Sequence, residues 1–173
     1  MSMYDLYSCN RGDTARFILG QSGDRKLYVV GLNPSTANRH KADTTVAKVE
    51  AVARLNGYQG FVMVNLYPLR ATDPQQLPEK HSARLQRRNM AEIADSFGDE
   101  PPVIWAAWGV NIGARPYLLK ACVELHRQVV SRGGRWLHYG ELCRHGHPRH
   151  PSRLSYQWTF ATFDITAYLA AVI

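Results

Sequence analysis

A chain of 173 residues is long enough for one hydrophobic core and short for two. Hydrophobic residues make up 45% and charged residues 20%, an ordinary globular balance, and no apolar run approaches the roughly 20 residues that span a bilayer. The net charge of +7, with basic residues and histidines thickening between Arg115 and Arg153, attracts polyanions, nucleic acid first.

The opening MSMYDLYSCNRGD lacks the apolar core of a secretory signal, so a cytoplasmic location is expected. Cys9, Cys122 and Cys143 are odd in number, far apart and without a C-x-x-C pair. That argues against a disulfide framework and against a four-cysteine iron–sulfur cluster.

In chain order, Arg16–Leu19 is a short apolar run that reads as an edge strand turning through Gly20–Asp24 into the next strand. Four segments read as buried strands: Lys26–Gly31, Gly60–Leu66, Pro102–Trp108 and Arg135–Gly140. Helical spacing separates them. Val46, Val49, Val52, Ala53 and Leu55 form one face, closed near Gly57. Leu85, Met90, Ile93, Ala94 and Phe97 form a second, ending before Gly98. Tyr117, Leu118, Ala121, Cys122, Leu125 and Val129 form a third, stopping at Gly133-Gly134. Strands alternating with helices predict right-handed βαβ units in a single-domain, three-layer α/β/α fold with a central four-stranded, mostly parallel sheet. In such sheets ligands bind beyond the carboxyl ends of the strands, so the chemistry is expected in the loops that follow them.

After the first of the four strands stands Gly31-Leu32-Asn33-Pro34-Ser35-Thr36, where glycine admits close approach and proline stiffens the turn. Asn33 is either held at the mouth of the sheet for a ligand or part of a turn and helix cap. The second strand ends on Asn65, a polar group costly to bury unless hydrogen-bonded, which serves either a ligand or the following loop. The third ends in Trp108-Gly109-Val110-Asn111, a strand-to-helix turn in which Gly109 has a packing role and Trp105 and Trp108 belong to the core. The fourth leads to RHGHPRHPSRLS. Cys143, His145, His147 and His150 lie close together there, but the spacing matches no zinc pattern and two of the histidines precede prolines. Neither a metal nor a cofactor is expected, and the segment reads as a basic loop, solvated or set against a polyanion.

Taken together, GLNPS after the first strand, VNLYPLRATDPQQL after the second and HPSRLS after the fourth resemble the motifs of the uracil-DNA glycosylase superfamily. The middle segment is similar to that of its mismatch-specific and thymine glycosylase branch. Over nearly its full length the chain also resembles an uncharacterised bacterial and phage family with LNPSTA, NL…RAT, a WG turn and a late PRHP.

The glycosylase resemblance implies a hydrolase of base excision repair that flips a damaged or modified pyrimidine out of DNA and cleaves its N-glycosidic bond. It implies that Asn33 orients the attacking water and that His150 stands near the base O2, where charge develops. Gly31, Leu32 and Asn65 would line the base pocket. Ser152 and Ser155 would meet phosphates, and Arg153 or Leu154 would enter the duplex. Ser35 replaces the aromatic wall of the most uracil-specific branch, so 5-modified pyrimidines would be admitted. Asp43 is either a second carboxylate at the site or the cap of the following helix. Alternative readings are a modified-base transferase or nucleotide-processing enzyme on the same fold. A non-catalytic nucleic-acid-binding module, gripping through Arg149 and Arg153, is a further one.

Overall fold

The computed structural model describes residues 2–173. Seven strands form one sheet: β1 (Leu6–Cys9), β2 (Arg16–Gln21), β3 (Lys26–Gly31), β4 (Gly60–Asn65), β5 (Val103–Ala106), β6 (Arg135–Tyr139) and β7 (Phe160–Thr162). Their spatial order is β1-β2-β4-β3-β5-β6-β7. β4, β3, β5 and β6 run parallel, and β1, β2 and β7 add antiparallel pairings at the two sides. The four predicted strands are thus the parallel centre, and the sheet is larger than the expected four strands.

β2 also departs from expectation. It does not hairpin onto β3; it pairs antiparallel with β1 and β4, inside the sheet rather than at its edge. Both flanks of β3 are already taken by parallel pairing with β4 and β5, so the chain after β2 has to pass over to reach it.

Four α-helices cover the sheet: α1 (Thr44–Leu55), α2 (Ala83–Ser96), α3 (Pro116–Ser131) and α4 (Ile165–Val172). Asp43 caps α1 by accepting from Val46 N, and Ser82 caps α2 by accepting from Leu85 N. The central strands are buried on both faces, and their side chains alternate with period two. Leu27, Val29, Phe61, Met63 and Trp105 join Val46, Val49 and Val52 of α1 in one core cluster. Tyr28, Val30, Val62, Val64 and Ile104 face the larger cluster, with Met90 and Ile93 of α2, Leu118 and Leu125 of α3 and Ile165 of α4. Among the described residues one face therefore carries α2, α3 and α4, and the other carries α1. No described helix is long and apolar enough to cross a membrane.

Because the chain leaves β3 towards α1 while β4 and β5 lie on opposite sides of it, the sheet has its topological switch point at the carboxyl end of β3. A crevice opens at such a point because successive connections diverge. Gly31 and the side chains of Met63 and Asn65 lie on the face covered by α1, since each position is an even number of residues from Val29 or Phe61 of that cluster.

Candidate functional site at the switch point

A cavity of about 800 Å³ occupies this crevice. Gly31, Leu32, Asn33 and Ser35 line it from the loop after β3, Asn65 from the end of β4, Trp108 and Gly109 from the turn after β5, and His150, Ser152 and Arg153 from the late loop. Four segments remote in sequence meet here because their parallel strands end side by side.

The loops after β3 and β4 are fastened to each other. Leu66 N donates to Gly31 O at 3.0 Å, Tyr67 N to Leu32 O at 3.1 Å and Ala71 N to Pro34 O at 3.0 Å. Arg70 secures the fastening: Nη1 donates to Ser35 O at 2.6 Å and Ala37 O at 2.9 Å, and Nη2 reaches Asp13 Oδ1 and Tyr7 Oη at 2.9 Å each. Arg70 thus shapes the Pro-Ser turn from behind.

Within this frame Asn33 is oriented by its own amide. Nδ2 donates to Ala71 O at 2.8 Å and to Pro34 O at 3.1 Å, and among the described residues no group donates to its Oδ1. The turn reading of Asn33 is seen, though Asp43 rather than Asn33 caps the following helix; Asn33 also lines the cavity, with its Oδ1 left without a donor among the described residues.

Asn65 differs. It is 1% exposed, and among the described residues neither Nδ2 nor Oδ1 has a partner. Its backbone is served, since Asn89 Nδ2 donates to Asn65 O at 2.9 Å. A buried primary amide with donor and acceptor both free costs about 1–3 kcal/mol per unsatisfied group, and this one borders the cavity. Room for it comes from Gly31, its register partner on β3: a Cβ there would lie 2.7 Å from Asn65 Oδ1.

His150 begins the turn Pro151–Arg153, and its Nδ1 accepts from Ser152 N at 3.1 Å. The neutral ring therefore carries its proton on Nε2. The ring keeps solvent contact at the cavity mouth, yet the surrounding protein disfavours its charged form and lowers its pKa, an effect that Asp43 only partly opposes. Gly109, at φ +75°, passes so close that an added Cβ would lie 3.0 Å from His150 Cβ. The expected packing role of Gly109 is thus to let the late loop close over the cavity.

The remaining expected residues divide. Ser152 and Arg153 are exposed at the mouth. Arg149 is turned aside, its Nε donating to Glu141 O at 2.6 Å and its guanidinium 5.0 Å from the centre of the Trp158 ring. Leu154 packs half-buried against the smaller core cluster, and Ser155 Oγ accepts from Gln157 N at 3.2 Å. None of these three lines the cavity. Asp43 caps α1 and also lines the cavity, with Oδ1 accepting from Val46 N at 2.9 Å and Oδ2 from Ala37 N at 3.2 Å. Among the described residues no three Cys, His, Asp or Glu side chains converge on a metal-sized site.

Sequence reasoning missed Arg16, which lines the cavity while only 2% exposed. The available signal was a charge at the head of an apolar strand, since arginine is almost never fully buried without a partner. Trp108, read as core, is buried and lines the cavity as well, its Nε1 donating to Tyr168 Oη at 3.1 Å.

Fold and site together define a mixed α/β protein with a cavity at a sheet switch point, lined by both apolar and polar groups. The chain belongs to the family described as "Protein of unknown function (DUF1643)", which matches residues 16–152. That span runs from Arg16 to Ser152 and contains Asn33, Asn65 and His150. No curated protein and no solved structure matches the chain.

Proposed function

We propose that this protein is a DNA glycosylase-like enzyme that cleaves the N-glycosidic bond of a damaged or 5-modified pyrimidine in DNA. The observation that carries this reading is the meeting of Asn33, Asn65 and His150 in one cavity, with Asn65 holding both amide atoms unpartnered in a buried position. The central parallel strands, with helices on both faces, are compatible with a uracil-DNA glycosylase-like architecture.

In this reading the flipped base sets its edge against Asn65. Nδ2 donates to a ring carbonyl and Oδ1 accepts from a ring N–H, which is the donor–acceptor pair that a pyrimidine edge presents. Water held by Asn33 Oδ1 attacks C1′ as the C–N bond breaks and its electron pair leaves with the base as an anion; the water's proton passes to solvent, which in turn protonates the released base. An amide takes no full proton, so the barrier falls mainly through positioning and leaving-group stabilisation. Neutral His150 donates from Nε2 to the base oxygen on which negative charge develops. Ser35, beside Thr72 at 3.5 Å, is a small wall that leaves space for a 5-substituent. Ser152 and Arg153 at the mouth meet the backbone, and Arg153, rather than the packed Leu154, fills the gap left by the base.

The test is release of abasic sites from duplex and single-stranded oligonucleotides carrying uracil, 5-hydroxymethyluracil and a wider panel of modified pyrimidines. Cleavage of at least one base, lost in Asn33→Ala, is the expected result. Intact glycosidic bonds across the panel overturn the proposal, and an increase in DNA mass without base release assigns group transfer instead.

A further inference from the structure

Arg16 is 2% exposed, and its guanidinium is only partly satisfied by the protein. Only Nη1 donates to protein, to Ala37 O at 3.0 Å, while Nε is buried without a partner and no protein acceptor serves Nη2 among the described residues. Nε and Nη2 form the side-on fork that matches two oxygens of a carboxylate or phosphate. Other enclosed arginines are used fully. Arg70 donates through Nε, Nη1 and Nη2, and Arg115 does so to the carbonyls of Gln75, Leu77 and Ala114.

Among the described residues no carboxylate forms an ion pair with Arg16. Asp43 and Asp13 act on it only at longer range, and both oxygens of Asp43 are occupied by backbone N–H groups. Arg70 adds repulsion, because the two guanidinium groups donate to the same carbonyl, Ala37 O. Burial and this like charge bring the Arg16 pKa down to about 10, so the group remains a cation at neutral pH. A buried, unpaired charge is expensive to keep, and this one lines a ligand cavity.

We infer that Arg16 forms an oxyanion subsite inside the cavity, so that the bound ligand carries a phosphate or carboxylate as well as the group read by Asn65. The inference deepens the reading of this cavity as a base site and rests on it. A phosphate arises from a mononucleotide bound whole, and a carboxylate from an acidic substituent on the base.

Isothermal titration calorimetry on the full chain separates these sources. Deoxyuridine 5′-monophosphate is compared with deoxyuridine, orotate with uracil, and inorganic phosphate is titrated alone. An anion that meets the fork should bind about tenfold tighter than its neutral counterpart. The gain should vanish in Arg16→Met and survive only in part in Arg16→Lys, which keeps the charge without the fork. A gain for the monophosphate identifies phosphate, and a gain for orotate identifies a ring carboxylate. No gain with either pair, or a gain that persists in Arg16→Met, overturns the subsite. The ligand comparison on the unaltered protein decides the matter even if Arg16→Met fails to fold. Uracil binding without an Arg16-dependent gain removes the subsite and leaves the base reading standing. Arg16-dependent phosphate binding with no affinity for uracil does the reverse.

Discussion

Gly31 and Asn65 sit opposite each other on neighbouring parallel strands, and the missing side chain of the first is the space occupied by the second. A Cβ on Gly31 would lie 2.7 Å from Asn65 Oδ1 and 2.9 Å from Met63 Cε. The backbone conformation of Gly31 is ordinary strand, so the glycine is required for volume rather than for torsion.

Gly31→Ala is therefore an overpacking change aimed at the amide. It should cost about 1–3 kcal/mol in urea unfolding and raise KM more than it lowers kcat. Unchanged stability together with unchanged KM would show that Asn65 has another place to go.

Asn65→Leu tests whether the buried amide exists for a ligand. Removing two unsatisfied polar atoms at similar volume should leave stability unchanged or raise it by roughly 1–2 kcal/mol, while substrate binding is lost. A loss of stability would mean that the amide supports the fold itself.

Gly109→Ala combines two penalties, a φ of +75° and a contact at 3.0 Å with His150 Cβ. A stability loss on the order of 1–2 kcal/mol is expected, with displacement of His150 and a fall in kcat. NMR of the His150 ring would detect the shift, and an unmoved ring with full activity would exclude this coupling.

His150 sets the acid limb of the pH profile. Protonation would break the Ser152 N–H to Nδ1 bond and place a cation where the surrounding protein disfavours charge, so the pKa lies below the ordinary 6.5. The neutral form is the one proposed to act. Activity should hold as pH falls towards 6.5 and then drop by about tenfold per unit beneath the lowered pKa. His150→Gln should abolish that limb; a midpoint at or above 6.5 would contradict the neutral donor.

Arg70→Met should destabilise the protein by about 2–4 kcal/mol, since it abandons the carbonyls of Ser35 and Ala37. Its effect on activity should exceed that of Arg149→Met, because Arg149 is held away from the cavity. Equal effects would remove the special place given to the Pro-Ser turn.

The central strands were legible because they are short apolar runs between turn signals, and α1 to α3 because their apolar residues recur at helical spacing. β1, β7 and α4 were not foreseen. LYSC and FAT are too short to show a period, and ITAYLAAV is apolar around most of its surface. The order of the strands was equally hidden, since pairing depends on which edges are free. This is why Arg16–Leu19 read as an edge strand although β2 lies within the sheet.

From the sequence alone came the alternation of strands and helices, the loops where chemistry should lie, and Asn33 and Asn65 as polar groups at strand ends, all local properties of composition and spacing. His150, and the grouping of the three as one site, came from the resemblance to the glycosylase motifs. Only the tertiary structure decided that these three share a cavity while Arg149, Leu154 and Ser155 do not line it, and that Asp43 both caps α1 and lines the cavity. The tertiary structure also revealed that Nε and Nη2 of Arg16 have no protein acceptor among the described residues. Whether a buried polar group is satisfied depends on partners brought from distant parts of the chain, and residue spacing carries no record of them.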